Sequence, residues 1–327
     1  MSGSQNPSTS PGRPILIQEV GPRDGLQGEA AFVPTAEKIA LIDALSLCGL
    51  AKIEVTSFVS PKAIPALADA DEVLRGIRRQ PGVVYTALVP NLKGAERAIA
   101  AVADELNLVM SASETHNLLN LRMTREQSKD LLLEVAELGR SAGKSLNVSL
   151  STSFGCPMEG EGPEGVVLGL AEAFLERGVE GISLCDTTGM AHPGQVAALS
   201  RAFLDRFPGA ALTLHLHNTR GMGLANAIAG MDAGVGRFDA SLGGLGGCPY
   251  APGATGNVCT EDLVHLLQAI GCRVDVDLPR LLAAARTLPG LVGHDVPGQV
   301  VHAGRSQDLH PVPAGLEDIR ARAEGRA

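Results

Sequence analysis

Eight apolar, strand-like segments alternate with eight helix-like segments between residues 15 and 270. Each strand-like segment is rich in Val, Ile or Leu and is followed by a longer segment with helix start and stop signals. Such alternation is typical of an α/β fold with parallel strands. Eight units of roughly 30 residues each match a closed barrel better than an open, doubly wound sheet. We therefore predict a (β/α)8 TIM barrel with a short C-terminal extension.

The predicted strands are Ile15–Ile17, Lys52–Thr56, Val83–Val89, Leu106–Met110, Leu146–Leu150, Gly181–Cys185, Ala211–Leu216 and Phe238–Leu242. The predicted helices are Thr35–Cys48, Pro61–Arg79, Ala95–Val102, Thr124–Ser141, Glu164–Arg177, Pro193–Phe207, Leu224–Ala233 and Thr260–Ile270. No Gly-x-Gly-x-x-Gly motif follows the first strand, which disfavours a dinucleotide-binding sheet. Tryptophan is absent and aromatic residues are scarce, so we expect an aliphatic core with strands buried on both faces.

The chain divides into three parts. Residues 1–14 are rich in Ser, Gly and Pro and are predicted to be a disordered tail. Residues 15–290 are predicted to form the catalytic barrel, with a further helix at Leu278–Thr287 packed on it. Residues 291–327 contain too little apolar material for a core of their own, and we predict a partly flexible extension.

The bulk composition disfavours several classes of partner. A net charge of −9 argues against nucleic acid and acidic membrane surfaces. There is no apolar run of about 18 residues that would span a membrane. The six cysteines form no CxxC pair and are predicted to be reduced thiols, which favours a cytoplasmic protein. A homodimer is the commonest closed assembly, and we expect a homodimer or a higher homo-oligomer.

Polar side chains follow several predicted strands at their carboxyl ends, which meet at one face of a TIM barrel. These residues are Arg23, Asp24, Glu54, Asp186, His215 and His217. Arg23 and Asp24 lie on a short turn, because a strand cannot continue through Gly21-Pro22. An isolated Arg-Asp pair is most often a surface salt bridge, but the convergence of the other groups favours a site.

The His-x-His pair at residues 215 and 217 indicates a metal site. Residues i and i+2 of a strand share a face, so both imidazoles are expected to point into the barrel mouth. Neutral imidazoles held together can share a cation, although one of them could instead be a core hydrogen-bonding group. With a carboxylate nearby, the donor set suits Mg²⁺ or Mn²⁺, whereas a zinc site would more often include a thiolate.

A glycine-rich loop follows the eighth strand, with Cys248 between Gly246-Gly247 and Pro249-Tyr250. The loop is either a flexible connection or a mobile lid that brings a thiol over the substrate, and we favour the lid. Cys156, on the loop after the fifth strand, is a weaker candidate for a functional thiol.

Four segments, VGPRDGLQ, IEVTSFVSPK, LHLHNT and GGLGGCPYAPGATGN, occur in this order. Over roughly residues 15 to 271 the chain resembles the 3-hydroxy-3-methylglutaryl-CoA lyases, a family of metal-dependent TIM barrels related to isopropylmalate and homocitrate synthases. The resemblance implies cleavage of this acyl-CoA, or of a close 3-hydroxy-3-alkylglutaryl-CoA, to acetyl-CoA and acetoacetate or another 3-oxo acid. It also implies that a divalent cation is bound by Asp24, His215, His217 and Asn257.

The resemblance further implies roles for residues around that cation. Arg23 would hold the substrate carbonyl and stabilise the enolate, and Gln27 and Ser57 would be further substrate-binding residues. Cys248 would be the catalytic thiol of the lid. Glu54 would be a carboxylate that orders the site, and Asp186 part of the proton path. The chain has Asn218 where the family pattern usually has an aspartate, so an orienting carboxylate for a ligand histidine is expected to be missing.

Two other functions remain open from the sequence. A metal-dependent aldolase or condensing synthase of the same barrel group would use a similar turn and histidine pair. A synthase of the isopropylmalate type normally carries a regulatory domain after the barrel, for which the extension leaves no room. A catalytically inactive binding barrel is disfavoured, because such a protein would not need to retain all four proposed cation ligands.

Overall fold

In a computed structural model, which describes residues 14–247 and 256–326, eight parallel strands close into a barrel in sequence order. The strands are β1 (Leu16–Glu19), β2 (Lys52–Ser57), β3 (Val84–Val89), β4 (Glu105–Ser111), β5 (Ser145–Ser151), β6 (Gly181–Asp186), β7 (Ala211–Leu216) and β8 (Arg237–Ala240). The barrel closes because β1 pairs with both β2 and β8. The predicted TIM barrel is confirmed.

Helices follow the strands and form the outer layer. They are α1 (Thr35–Ser46), α2 (Ala70–Gly76), α3 (Leu92–Ala100), α4 (Glu114–Leu121), α5 (Arg125–Ser141), α6 (Glu164–Leu175), α7 (Pro193–Arg206), α8 (Gly223–Asp232), α9 (Thr260–Ala269), α10 (Leu278–Ala285), α11 (Leu288–Val292), α12 (Val300–Ala303) and α13 (Leu316–Ala323). None of these described helices has the length and apolar content to cross a lipid bilayer.

One helix prediction needs correction, and the structure contains one helix between β4 and β5 that the sequence did not predict. The segment Pro61–Arg79 is not one helix, because Pro65 begins a separate 3₁₀ turn and α2 starts only at Ala70. Helix α4 was not predicted. It is a short helix between β4 and α5, with Ser113 as its N-cap accepting a hydrogen bond from the His116 backbone N–H. Arg122, in the left-handed conformation, ends it.

The hydrophobic core lies between the strands and the helices, and includes Ile17, Ile53, Leu106, Val148 and Leu214. The strands are buried on both faces as expected, but the inner face of the barrel is polar rather than aliphatic. Gln18, Glu54, Asn107, Asn147, Ser183 and Asp239 line a central cavity of about 10 Å³. Such a volume is at the limit for a single water molecule, and Glu54, Asn107, Asn147 and Ser183 hydrogen-bond to one another around it.

The C-terminal extension begins after α11. Val300 and Val301 of α12 are buried in the core, whereas α13 buries none of its side chains. The Ser306 backbone N–H donates to His265 Nε2 of α9 at 3.2 Å, which ties the segment between these two helices to the barrel.

Candidate active site

The turn after β1 is a single π-helical turn, Gly21–Gly25. The Val20 carbonyl oxygen accepts from the backbone N–H groups of Arg23 (3.1 Å) and Asp24 (2.7 Å). A side chain at Gly21 would not fit, since an added Cβ would lie 2.6 Å from a carboxylate oxygen of Glu19. The Gly-Pro pair therefore ends the strand and holds Arg23 and Asp24, both buried, at the barrel mouth.

The Arg23 guanidinium is held between two carboxylates. Its Nη1 donates to Asp24 Oδ1 at 2.5 Å, and its Nε donates to Glu54 Oε2. Burial opposes the charge, but Asp24 and Glu54 outweigh it and raise the pKa of Arg23. Nη2 makes no hydrogen bond within the described residues, so it is the terminal nitrogen left to meet a ligand.

Asp24, His215 and His217 form a cluster in which one ligand atom from each lies within 4.8 Å of the others. The two Nε2 atoms of the histidines are 3.2 Å apart, and His215 Nε2 lies 3.8 Å from Asp24 Oδ2. Both imidazoles point inward because they are two residues apart along the β7 direction, as predicted. Two nitrogens and a carboxylate oxygen facing one point can bind a divalent cation.

The electrostatics of Asp24 and His217 favour ligation, whereas those of His215 favour a proton in the absence of a cation. Burial would raise the pKa of Asp24, but Arg23 and the neighbouring histidines lower it to about 2, so the carboxylate is ionised. Burial and the charge on His215 lower the pKa of His217 to about 3, so this imidazole is neutral and has a lone pair to give. Burial opposes protonation of His215 too, but the hydrogen bond to Asp239 and the negative charges of Asp24 and Asp239 together outweigh it and raise the pKa.

Asn257 joins the cluster from the far side of the glycine-rich loop. Its Nδ2 donates to Asp24 Oδ2 at 2.7 Å and to the Leu245 carbonyl at 3.0 Å. Its Oδ1 is buried and has no hydrogen-bond partner within the described residues. Gly246 makes the approach possible, since its φ is +96° and an added Cβ would lie 2.7 Å from Asn257 Nδ2. An unpartnered buried oxygen beside the cluster fits a fourth ligand.

The structure brings most of the other predicted residues to the same place. Gln27 Nε2 donates to Asp24 Oδ1 at 2.9 Å, so its amide is fixed beside the cluster. Asp186, at the end of β6, accepts from the backbone N–H groups of Met190 (2.8 Å) and Ala191 (3.0 Å) with one oxygen. Its other oxygen is buried without a partner in the described chain, and burial raises the pKa of Asp186 to about 7.

The remaining predicted site residues are Ser57 and two cysteines. Cys248 lies outside the described residues. Ser57 is buried, and its hydroxyl accepts from the Val59 backbone N–H at 3.3 Å within the turn after β2. Cys156 is buried and accepts a hydrogen bond from the Ser113 hydroxyl at 3.1 Å, and none of its described hydrogen bonds joins it to the cation cluster.

Asp239, which the sequence reasoning missed, orients His215. It lies opposite His215 in the β7–β8 register, and its Oδ2 is 3.3 Å from His215 Nδ1. A carboxylate on the far nitrogen fixes the ring and leaves Nε2 toward the cation position. The expectation that this carboxylate is missing was therefore wrong for His215, since β8 supplies it. Asn218 instead accepts from the Gly223 backbone N–H at 3.0 Å, at the start of α8.

Glu19 and Glu261 were also missed, and they hold the base of the loop after β8. Glu19 Oε1 accepts from the backbone N–H groups of Gly21 (2.7 Å) and Leu242 (2.8 Å). Its Oε2 accepts from the Thr260 hydroxyl at 2.7 Å. Glu261 accepts from the Gly243 backbone N–H at 3.0 Å. An acidic residue within an apolar strand end was the only sequence signal for Glu19.

A comparison with protein-family profiles identifies the family of this chain. The sequence profile of the HMGL-like family matches residues 14–288. The chain belongs to the HMGL-like family. The family's matched region contains the whole cluster, from the turn after β1 to Asn257.

Three relatives indicate what this member of the HMGL-like family is similar to. The hydroxymethylglutaryl-CoA lyase YngG of Bacillus subtilis is 45% identical over 89% of this chain and 98% of its own. The (R)-citramalyl-CoA lyase of Chloroflexus aurantiacus is 41% identical over 89% of this chain and 95% of its own. The structure of an HMG-CoA lyase from Acinetobacter baumannii, in complex with coenzyme A and 3-methylmalate, superposes with a TM-score of 0.89. It is 52% identical and covers 92% of this chain and 98% of its own.

Proposed function

We propose that this protein is a divalent-metal-dependent carbon–carbon lyase that cleaves 3-hydroxy-3-methylglutaryl-CoA to acetyl-CoA and acetoacetate. The observation that carries the proposal is the placement of Arg23 beside the Asp24, His215 and His217 cluster, within a chain that is 45% identical to an HMG-CoA lyase. The cluster supplies ligands for a cation, and the guanidinium supplies a donor for an oxyanion.

The residues present fit a hard divalent cation such as Mg²⁺ or Mn²⁺. Asp24 and the two histidines would hold it, with the unpartnered Asn257 Oδ1 as the fourth ligand. None of the described cysteines lies in the cluster, which disfavours a thiolate-rich zinc site. A cation bound there would make the substrate's tertiary hydroxyl more acidic and fix its position.

The reaction moves one proton off the substrate and returns one to the product. The C3 hydroxyl loses its proton, and its electron pair forms the ketone of acetoacetate. The bond between C2 and C3 breaks, and its electron pair passes to the thioester carbonyl as an enolate. The enolate carbon then takes a proton and becomes the methyl group of acetyl-CoA. The chain must therefore supply a base, an oxyanion donor and an acid.

We assign these roles to residues at the barrel mouth. Arg23 donates to the enolate oxygen through the Nη2 atom that Asp24 and Glu54 leave free. Asp24 and His215 are the candidate bases for the hydroxyl proton. Asp186, with an unpartnered oxygen and a pKa raised to about 7 by burial, suits a proton path near neutral pH. Cys248 is proposed to protonate the enolate carbon from the loop after β8.

Further assignments complete the proposal. We propose that residues 15–290 form the catalytic unit, that residues 291–327 are an accessory extension, and that the protein works in the cytoplasm as a homodimer or higher homo-oligomer. The five described cysteines are free thiols, which supports a reducing compartment. Gln27, held beside Asp24, and Ser57 are proposed to contact the acyl-CoA.

The test is a panel of acyl-CoA thioesters assayed for acetyl-CoA release with Mg²⁺ or Mn²⁺. We expect 3-hydroxy-3-methylglutaryl-CoA to be cleaved, and EDTA followed by desalting to abolish release until a cation is restored. The panel includes (R)-citramalyl-CoA, because one relative acts on it. Faster cleavage of that thioester would reassign the substrate, whereas release unaffected by EDTA would rule out the cation.

A second assay separates the lyase from a condensing synthase of the same barrel group. Acetyl-CoA is incubated with the enzyme and a set of 2-oxo acids, and free coenzyme A is measured. A synthase would consume acetyl-CoA and release free coenzyme A, since it hydrolyses the thioester of the condensed product. The lyase is expected to release none.

A further inference from the structure

A chain of buried hydrogen bonds runs from Arg23 into the barrel interior. Glu54 accepts from Arg23 Nε with one oxygen and from Asn107 Nδ2 with the other, the latter at 2.7 Å. Asn107 lies on β4, and the side chains of Arg23, Glu54 and Asn107 are all buried. The carboxylate is therefore shared between a charged donor and a neutral one.

The orientation of the Asn107 amide is fixed by its neighbours on β5. Its Oδ1 accepts from Asn147 Nδ2 at 2.9 Å and from the Ser149 hydroxyl at 2.9 Å. Asn147 Nδ2 also donates to the Ser183 hydroxyl at 3.1 Å. A flip of the Asn107 amide would turn its N–H groups toward two donors and its oxygen toward Glu54. The network therefore keeps the N–H donor on the carboxylate.

This donor determines how Glu54 can bind Arg23. A carboxylate and a guanidinium prefer a two-bonded fork, in which Nε and Nη2 donate to the two oxygens in parallel. The Asn107 N–H fixes the plane of the Glu54 carboxylate through Oε1, and in this plane Glu54 accepts only from Nε of Arg23. Nη2 is left without a partner in the described chain and is available to a ligand.

We propose that Asn107 is a positioning residue that keeps Arg23 Nη2 free for the substrate by fixing the plane of the Glu54 carboxylate. The inference rests on the function of Arg23 proposed above. Without Asn107, the Glu54 carboxylate rotates into the fork, and both Nε and Nη2 of Arg23 become bound to it. The guanidinium then loses the donor that meets the enolate oxygen.

The kinetic test is a double-mutant cycle between Asn107→Leu and Arg23→Met. Asn107→Leu is expected to lower kcat about 10- to 100-fold, as for a displaced catalytic group. In the Arg23→Met background the same change is expected to lower kcat less than about threefold, because the group it positions is gone. An equal loss in both backgrounds, or no loss in either, overturns the proposal.

A matched control is Gln18→Leu. Gln18 lines the same interior cavity and donates to the Thr213 hydroxyl at 3.1 Å, but it makes no hydrogen bond to Glu54 within the described residues. Its removal is expected to leave kcat within about twofold, whereas a general weakening of the barrel would affect both variants alike. If Asn107→Leu does not fold, Asn107→Val replaces it, since a β-branched side chain suits a strand and also lacks the N–H donor.

A spectroscopic readout tests the positioning without any turnover. In protein labelled with ¹⁵N-arginine, the Nε–H signal of Arg23 is identified by its disappearance in Arg23→Met. We expect this signal to shift in Asn107→Leu and to stay in place in Gln18→Leu. An unmoved signal contradicts the proposal even if the lyase activity is confirmed. A shifted signal in a protein without lyase activity would support the positioning and refute only the proposed reaction.

Discussion

Glu19 and Asp24 are both buried and lie in the same short segment, and both contact the chain after β8. The pKa of Glu19 is nevertheless raised, whereas that of Asp24 is lowered. Asp24 accepts from the side chains of Arg23, Gln27 and Asn257 and faces two imidazoles. Burial would raise its pKa, but these neighbours lower it to about 2. Glu19 accepts from two backbone N–H groups and a hydroxyl, and burial raises its pKa to about 8.

The difference comes from the charge of the donors, not from the depth of burial. A full positive charge beside Asp24 compensates for lost hydration, whereas the neutral donors of Glu19 do so only in part. The Asp24 carboxylate is therefore ionised, which suits its proposed role as a cation ligand. Glu19 is a clamp between β1, the loop after β8 and α9, and it functions through hydrogen bonds in either protonation state. Substitution of Asp24 should therefore mainly affect catalysis, whereas substitution of Glu19 should mainly affect stability.

The largest expected effect is on catalysis by Asp24→Asn. Loss of the anionic ligand should lower kcat/KM about 10³-fold, since several kcal/mol of charge stabilisation disappears. Elemental analysis after dialysis should find less than one equivalent of cation, while the thermal unfolding midpoint changes little. Glu19→Gln is the control, and it should retain both cation and activity. A full equivalent of cation in Asp24→Asn would show that Asp24 is not a ligand.

The next largest effect is on stability in Glu19→Ala. Two backbone N–H groups, those of Gly21 and Leu242, lose their acceptor in a buried place, which should lower the free energy of unfolding by about 3 kcal/mol. Urea unfolding of the cation-free protein measures this directly. Glu19→Gln keeps an oxygen for the same two groups and should lose much less. Equal losses in the two variants would mean that the clamp is not formed by these bonds.

A smaller effect is expected for Asp239→Asn, which weakens the orientation of His215 without removing a ligand. Cation affinity should fall about 10- to 100-fold, and kcat at saturating cation should change much less. Isothermal titration with Mn²⁺ gives the affinity. Asn218→Asp, which restores the usual carboxylate of the family pattern, is the matched comparison and should change affinity less than about threefold. A large gain in Asn218→Asp would show that Asp239 does not fulfil that role.

The fold and the centre of the site were predictable because both follow from local sequence patterns. Alternating strands and helices specify the barrel, and a spacing of two along β7 places His215 and His217 on one face. Gly21-Pro22 places Arg23 and Asp24 after a strand. Each of these inferences needs only a short stretch of chain and the rule that parallel strands end at the same face.

The supporting residues were missed because their roles depend on which residues of neighbouring strands lie side by side. Asp239 meets His215 only because the two are paired in the β7–β8 register, and Asn107 meets Asn147 in the β4–β5 register. A sequence without known pairing gives no such register. The polar interior was unexpected for the same reason, since Asn107, Asn147 and Ser183 hydrogen-bond to one another only when β4, β5 and β6 are paired in this register.

The smallest expected effect is a pH dependence that distinguishes Glu19 from Asp24. Since folding raises the pKa of Glu19 from 4.5 to about 8, the native state holds a proton that the unfolded state releases between these values. This contribution to stability is complete below pH 4.5 and is lost as the pH rises through 8.

Glu19→Gln cannot lose that proton, so from pH 6.5 to 7.5 its stability relative to wild type should rise by about 1 kcal/mol. Urea midpoints of both proteins at the two pH values test this, and the titration of Glu261 cancels because both proteins contain it. A difference that does not change with pH would show that Glu19 is ionised in the fold, and that Glu19 and Asp24 share one electrostatic state.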